Sequence, residues 1–119
     1  LSLRVERLLV PKEECPMIPE TSVLQDAILA MTQKPVGMCA VVEGEALVGI
    51  VLEGDIRRAF AKSKDAINLS VSELMTKRPV SVAPDLLAFE ALKLMENPER
   101  LINVVPVVDS RGKFYGVLR

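Results

Sequence analysis

Gly49-Ile50-Val51-Leu52-Glu53-Gly54-Asp55-Ile56-Arg57-Arg58 reads as a buried strand that ends at a glycine turn and opens directly into a helix. Val48, Ile50 and Val51 are β-formers, Gly54 punctuates, and Asp55 is a good N-cap for a helix expected from about Ile56 to Lys62. Two arginines then fall in the first helical turn, where the positive end of the helix dipole disfavours cations. Free backbone N–H groups, two guanidinium groups and one carboxylate at a helix N-terminus suit an anion that also carries hydroxyls. The plainer alternative is that Asp55 only caps the helix and that Arg57 and Arg58 are solvated.

Outward from this stretch the chain repeats itself. Val5-Glu6-Arg7-Leu8-Leu9-Val10 is a short amphipathic turn of helix, and Val71-Ser72-Glu73-Leu74-Met75-Thr76 repeats it sixty-six positions later. Ser70 and Glu73 have the spacing of a capping box. Each copy continues through a proline-marked loop into a short extended segment, Pro16-Met17-Ile18 and Pro79-Val80-Ser81-Val82. Leu24, Ala27, Ile28 and Met31 then form one helical stripe, matched by Ala88, Ala91, Leu92 and Met95. A methionine-containing stripe at this spacing is read as core, not as a cofactor box. Ser22 and Gln25 suggest a capping box for the first helix, and Pro35 and Pro98 stop the two helices.

Two strands follow each helix. They are Met38 to Val42 and Leu47 to Leu52 in the first copy, and Val104 to Val108 and Lys113 to Leu118 in the second. Gly49 and Gly116 hold equivalent places. Such a unit cannot close a core alone, whereas two stacked copies can. The expected fold is α/β (α+β), two pseudo-symmetric repeats at 1–65 and 66–119, each a small sheet with flanking helices, with clefts between the copies.

Composition removes several functions. Half of the 119 residues are apolar, enough for a globular core. Net charge is −1 with no broad basic field, which argues against nucleic-acid binding. There is no histidine, so a conventional zinc site or Ser-His triad is excluded for this chain. Cys15 and Cys39 match no metal or redox spacing and read as reduced thiols in or near the core of a cytoplasmic protein. No apolar run has the length of a membrane span and no signal-peptide pattern opens the chain. No cofactor and no metal are expected. Leu1 at one end and Arg119 inside an apolar run at the other suggest a piece of a longer protein.

The repeated pattern resembles a tandem pair of CBS domains, the regulatory module also called a Bateman domain. The resemblance rests on Leu74-Met75-Thr76 before Pro79-Val80, on Ala40-Val41-Val42 and Pro106-Val107-Val108 before their turns, and on Gly49-Ile50-Val51 leading to Gly54-Asp55. Gly37 to Val42 and Gly54-Asp55-Ile56-Arg57-Arg58 are similar to the CBS pair of bacterial D-arabinose 5-phosphate isomerases. That family's sugar isomerase domain is absent here, so no isomerase activity is expected of this chain. An enzyme in its own right is disfavoured, because Glu53 and Asp55 flank a turn and do not converge.

The resemblance implies a regulatory site for a nucleotide or nucleotide sugar, with CMP-Kdo as a sensible effector in a pathway to Kdo and lipopolysaccharide. By that resemblance Asp55 would accept hydrogen bonds from a ribose diol, and Arg57 or Arg58 would hold phosphate or a sugar carboxylate. Thr76, Lys77 and Arg78 would add hydroxyl and cationic contacts, against the plainer reading of a solvated loop. Backbone groups of Val80 and of Met38, Cys39 and Ala40 would face the base. Leu52 stands where adenylate-binding CBS sites commonly carry a hydroxyl, which weakens ordinary AMP or ATP binding. Two alternatives stay open: a CBS pair of another parent that binds adenine nucleotides, and a mainly structural module that forms a homodimer or higher homo-oligomer.

Overall fold

The structure is a computed structural model, and it describes residues 3–99 and 102–119. Six strands run in chain order: β1 (Val10–Pro11), β2 (Met17–Pro19), β3 (Cys39–Glu43), β4 (Ala46–Val51), β5 (Val105–Val108) and β6 (Phe114–Leu118). The α-helices are α1 (Leu24–Gln33), α2 (Glu53–Lys62), α3 (Val71–Leu74) and α4 (Ala88–Met95), with three short 3-10 turns between them. The strands form two three-stranded sheets, ordered β2-β3-β4 and β1-β6-β5.

The two sheets are copies of one design. β3 pairs antiparallel with β4 through a register shift at Val41/Val42, and β5 pairs with β6 through one at Val107/Val108. β2 lies parallel to β3, whereas the extended segment expected at Pro79–Val82 is reduced to a parallel bridge between Val82 and Val107. The hairpin ends meet about the pseudo-two-fold axis. There the Leu47 N–H donates to the Gly112 carbonyl, and the Phe114 N–H donates to the Glu45 carbonyl.

Each copy lends its first turn of helix to the other. Val5 is fully buried with Val82, Ala91, Val105 and Val107 of the second copy. The Val5 N–H donates to Leu86 O, and β1 pairs antiparallel with β6. Conversely Ala66 and Val71 are buried with Leu24, Cys39, Val41 and Val51 of the first copy. A third apolar cluster joins the sheets and contains Cys15, Met38, Ala40, Ile50, Phe114 and Val117. Burial of this kind, about 25 cal/mol per Å² of apolar surface, is what one small unit cannot supply by itself.

The crossings explain the paired glycines. Thr76 bridges Ile50, and Val10 pairs with Val117. A Cβ at Gly49 would lie 2.5 Å from Met75 Sδ, and one at Gly116, whose φ is +148°, would fall on the Val10 carbonyl oxygen. The crossing chain therefore requires a residue without a side chain at each point.

Three expectations are corrected. Helix α2 begins at Glu53 with Leu52 as its N-cap, so Asp55 is the third helical residue and not the cap. From there its carboxylate reaches back to the Leu52 N–H at 2.9 Å, which needs no hydroxyl at the cap position. Likewise α1 is capped at Val23, whose N–H donates to Asp26 Oδ2 at 3.0 Å, so the Ser22–Gln25 box does not form. Leu92 leaves the core stripe of α4 and is 53% exposed, while Ala91 and Met95 stay buried. Ser70 does cap α3, accepting from the Ser72 N–H at 3.3 Å. Among the described residues no helix is long and apolar enough to cross a membrane.

Candidate functional site

A cleft of about 880 Å³ opens between the copies. One wall is α1, with Ile28, Met31 and Thr32. A second is the β4–α2 junction, with Ile50, Leu52, Glu53 and Ile56. The third is the segment Thr76–Val80, with Val104 and Arg119 beyond it. The walls are mainly aliphatic, and four charged residues face the space: Lys77, Arg78, Arg119 and the single acid Glu53. An apolar slot with a few placed polar groups is the ordinary form of a small-molecule site.

Asp55 organises the junction from beneath and does not line the cleft. It is 5% exposed. Its Oδ2 accepts from the Leu52 N–H at 2.9 Å, and its Oδ1 accepts from Arg58 Nη2 at 2.7 Å. The Thr76 hydroxyl lies 3.1 Å from Oδ1 and 3.0 Å from Oδ2. Three donors thus converge on one buried carboxylate, which fills most of its accepting capacity. The Thr76 backbone is fixed as well, exchanging N–H···O bonds of 2.8 and 3.0 Å with Ile50.

Two residues beyond this clamp, Arg78 takes a left-handed backbone with φ +51°, immediately before Pro79. For a residue other than glycine this costs about 1–2 kcal/mol, and strain of this kind gathers at ligand clamps and switches. The clamp at Thr76 holds the loop in place and presents Lys77 and Arg78 to the cleft.

The residues named from sequence fall into two groups. Thr76, Lys77, Arg78 and Val80 come together in the cleft lining. Arg57 sits with Glu53 and Ile56 at a separate hollow of about 200 Å³, and the Arg58 guanidinium lies on Asp55. Met38, Cys39 and Ala40 are 1%, 0% and 1% exposed. β3 is the central strand of its sheet, so its backbone is engaged on both sides, the Ala40 N–H donating to the Pro16 carbonyl. Burial pushes the Cys39 thiol up to about 12 and raises that of Cys15, and both cysteines are free.

Sequence reasoning missed Arg119 and Glu53 as cleft residues, and took Ile28 and Met31 for core alone. Arg119 was legible through the repeat. Gly49 and Ile50 match Gly116 and Val117, and the same offset sets Arg119 against Leu52. Ile28 and Met31 pack on the first core and line the cleft together.

The comparisons with known proteins agree with this architecture. Arabinose 5-phosphate isomerase KdsD of Escherichia coli (strain K12) is 37% identical over 110 residues, 92% of this chain and 33% of that protein. KdsD of Francisella tularensis (strain SCHU S4) is 35% identical over 118 residues, 99% of this chain and 36% of that protein. The chain thus spans about a third of the curated relatives it matches. Among solved structures, the CBS domain protein PAE2072 from Pyrobaculum aerophilum, complexed with AMP, superposes with a TM-score of 0.81 at 24% identity, covering 98% of this chain and 86% of its own. The cytosolic domain of the Mg2+ channel MgtE, in complex with ATP, gives a TM-score of 0.79 at 21% identity over 99% of this chain and 46% of its own. Both likenesses are of fold. The CBS domain family model matches residues 5–62 and 71–119, one segment in each copy, so the chain belongs to the CBS domain family as a tandem pair.

Proposed function

We propose that this CBS pair is the regulatory ligand-binding module of a D-arabinose 5-phosphate isomerase-like enzyme of Kdo and lipopolysaccharide synthesis. Its cleft takes a nucleotide or a nucleotide sugar such as CMP-Kdo. The observation that carries the reading is the cleft itself, aliphatic on its walls and edged by Lys77, Arg78 and Arg119 with the Thr76 hydroxyl beside them. A base fits the aliphatic slot, and the phosphate and carboxylate of CMP-Kdo fit the cations. The similarity to KdsD supports the parent enzyme, and the nucleotide complexes of PAE2072 and MgtE support the ligand class. Leu52 offers no hydroxyl to a phosphate, which favours the nucleotide sugar over AMP or ATP. Regulation acts on an isomerase domain outside this chain, in the cytoplasm, through different affinities for two states of the whole enzyme.

Thermal unfolding of the chain with CMP-Kdo, CMP, AMP, ATP and free Kdo tests this reading. A ligand that binds only the folded state adds about 2.7 kcal/mol at a hundred times its Kd. A rise in Tm with CMP-Kdo above that with the adenylates is the expected result. A rise with adenylates alone points to a CBS pair of another parent, and no rise with any of them removes the nucleotide site.

A second reading, self-association, rests on a different observation. Leu29, Phe60, Phe89 and Leu92 on α1, α2 and α4 are 55%, 46%, 58% and 53% exposed. These faces suit a homodimer or higher homo-oligomer. Sedimentation of wild type and of Leu29→Glu and Phe89→Glu separates the two: assembly lost with ligand binding kept assigns the faces to association, and a monomeric wild type removes it.

A further inference from the structure

We infer that residues 77–81 form a strap along the cleft, held in a strained position by the Thr76–Asp55 contact, and that breaking this contact lets the strap relax and re-aims Lys77 and Arg78. The strap is fastened at its two ends. At one, Thr76 exchanges backbone hydrogen bonds of 2.8 and 3.0 Å with Ile50 in an isolated bridge. At the other, the Val82 N–H donates to the Pro106 carbonyl at 3.1 Å, and the Val82 carbonyl accepts from the Val108 N–H at 3.0 Å. The first copy's sheet thus holds one end and the second copy's sheet the other. Between them, among the described residues, no backbone hydrogen bond engages 77–81, and Val80 packs against the core of the second copy.

The strain lies at Arg78. Its φ of +51° is disfavoured for an L side chain, and the ring of Pro79 pushes the preceding residue toward a φ of about −120°. Such a conformation persists only where its surroundings over-determine it. Here the restraint is at Thr76, and it is suited to break. The Thr76 hydroxyl is shared between the two Asp55 oxygens at 3.1 and 3.0 Å. A hydroxyl donating to a carboxylate usually lies closer, at about 2.5–2.7 Å. When the hydroxyl leaves, Asp55 keeps the Leu52 N–H at 2.9 Å and Arg58 at 2.7 Å, so no buried charge is left unpaired. Thr76 itself lines the cleft, where the freed hydroxyl meets solvent or a bound molecule. Strain at Arg78 therefore opposes the latch at Thr76, and whatever takes the hydroxyl from the cleft side shifts the balance. A buried contact beneath the cleft sets where two of its exposed cations point, whatever the cleft binds.

Urea unfolding of R78G and R78Q, which lose the same charge, tests the strain. Glycine accepts a φ of +51° and glutamine does not, so R78G is expected to have the higher midpoint. Combined with T76V the order is expected to vanish or reverse. The relaxed strap has a negative φ at this position, where glycine only adds freedom to the unfolded chain. Arg78 is exposed, so both of its variants fold, and the first comparison needs no T76V protein. Limited trypsin digestion follows the strap itself, because the Lys77–Arg78 bond lies within it and the Arg78–Pro79 bond resists trypsin. With rates normalised to peptides of the same sequence, T76V is expected to be cut at Lys77 about tenfold faster than wild type, as cleavage tracks the open population. T76S keeps the hydroxyl and is expected to be cut at the wild-type rate. A midpoint for R78G no higher than for R78Q, a glycine advantage undiminished by T76V, or an unchanged rate of cleavage in T76V overturns the strap.

Discussion

The Thr76 hydroxyl lies 3.0 Å from Asp55 Oδ2, across twenty-one positions of sequence. This contact joins the helix that follows the first copy's sheet to the segment that enters the second. The cleft lies directly against it, lined by Thr76 and by Leu52, Glu53 and Ile56 of the same helix end. Any ligand that draws on the Thr76 hydroxyl competes with a buried carboxylate for it.

Removing that hydroxyl with the shape kept should therefore be costly. Thr76→Val leaves Asp55, 5% exposed, with the Leu52 N–H and Arg58 as its remaining donors. A loss of about 1–3 kcal/mol in urea unfolding is expected, at an unchanged m-value. Arg58→Gln, at a side chain that is 67% exposed, should cost less than about 1 kcal/mol. Equal losses for the two would mean that the hydroxyl is not a specific partner of the carboxylate.

Most of the fold was legible because its signals are local and occur twice. The stripe of Leu24 and Ala27, the β-branched runs at Val41-Val42 and Val105 to Val108, and the glycines at 49 and 116 each report a short-range periodicity or a steric demand. The exchange of the first helical turns was not legible. A three-residue turn such as Val5–Arg7 carries no mark of which sheet it will cover, and its partners lie some eighty residues away. The capping of α2 was misread for a related reason. Leu52 gives no polar signal as an N-cap, so Asp55 beside Gly54 reads as the cap of a helix from about Ile56. Moving the start back to Glu53 makes Asp55 the third helical residue, so that its carboxylate turns back to the Leu52 N–H and meets Arg58 one turn on. The Thr76–Arg78 loop was legible as a cleft element through its place in the repeat, whereas Ile28 and Met31 face core and cleft at once, which periodicity does not separate.

The two crossing glycines should respond unequally to alanine. At Gly116 the new Cβ falls on the Val10 backbone, and the φ of +148° is itself unfavourable for an L side chain. At Gly49 the nearest atom is Met75 Sδ, the far part of a flexible side chain, with Thr76 O at 3.1 Å behind it. Gly49→Ala is expected to cost about 1–3 kcal/mol, the range for overpacking. Gly116→Ala should cost more than that or prevent folding. Urea midpoints order the two, and a milder effect at Gly116 would contradict the close approach of β1 to β6.

Cys39 makes stability depend on alkaline pH. Burial raises its folded-state pKa to about 12 from an ordinary value of 9.0. Between those values the unfolded chain has released the proton and the native chain retains it. The thiol's contribution is therefore complete below pH ~9 and is lost as pH rises toward 12, by about 1.4 kcal/mol per pH unit. Urea unfolding of wild type and Cys39→Ala at pH 8, 9 and 10 isolates the effect. The stability gap between them should be constant up to pH ~9 and narrow above it. A gap that does not change with pH would show that the thiol ionises as readily in the native protein as in the unfolded chain.

The exchanged helical turns give the last prediction, and it concerns where a mutation is felt. Val5 and Val71 are both 0% exposed, and each is buried in the core of the opposite copy. Truncating either valine to alanine removes two methyl groups from a filled core, a loss of about 1–3 kcal/mol. By chain position Val5→Ala should disturb α1 and β3. By packing it should disturb β5, β6 and α4, far along the chain, and Val71→Ala should disturb α1, β3 and β4. Native-state amide exchange resolves this, because sub-global openings release protection in the unit that has lost its contacts. Val5→Ala is expected to lower protection at Val105, Val107 and Leu118 first, and Val71→Ala at Val41 and Val51 first. The opposite distribution would mean that each copy holds its own first turn.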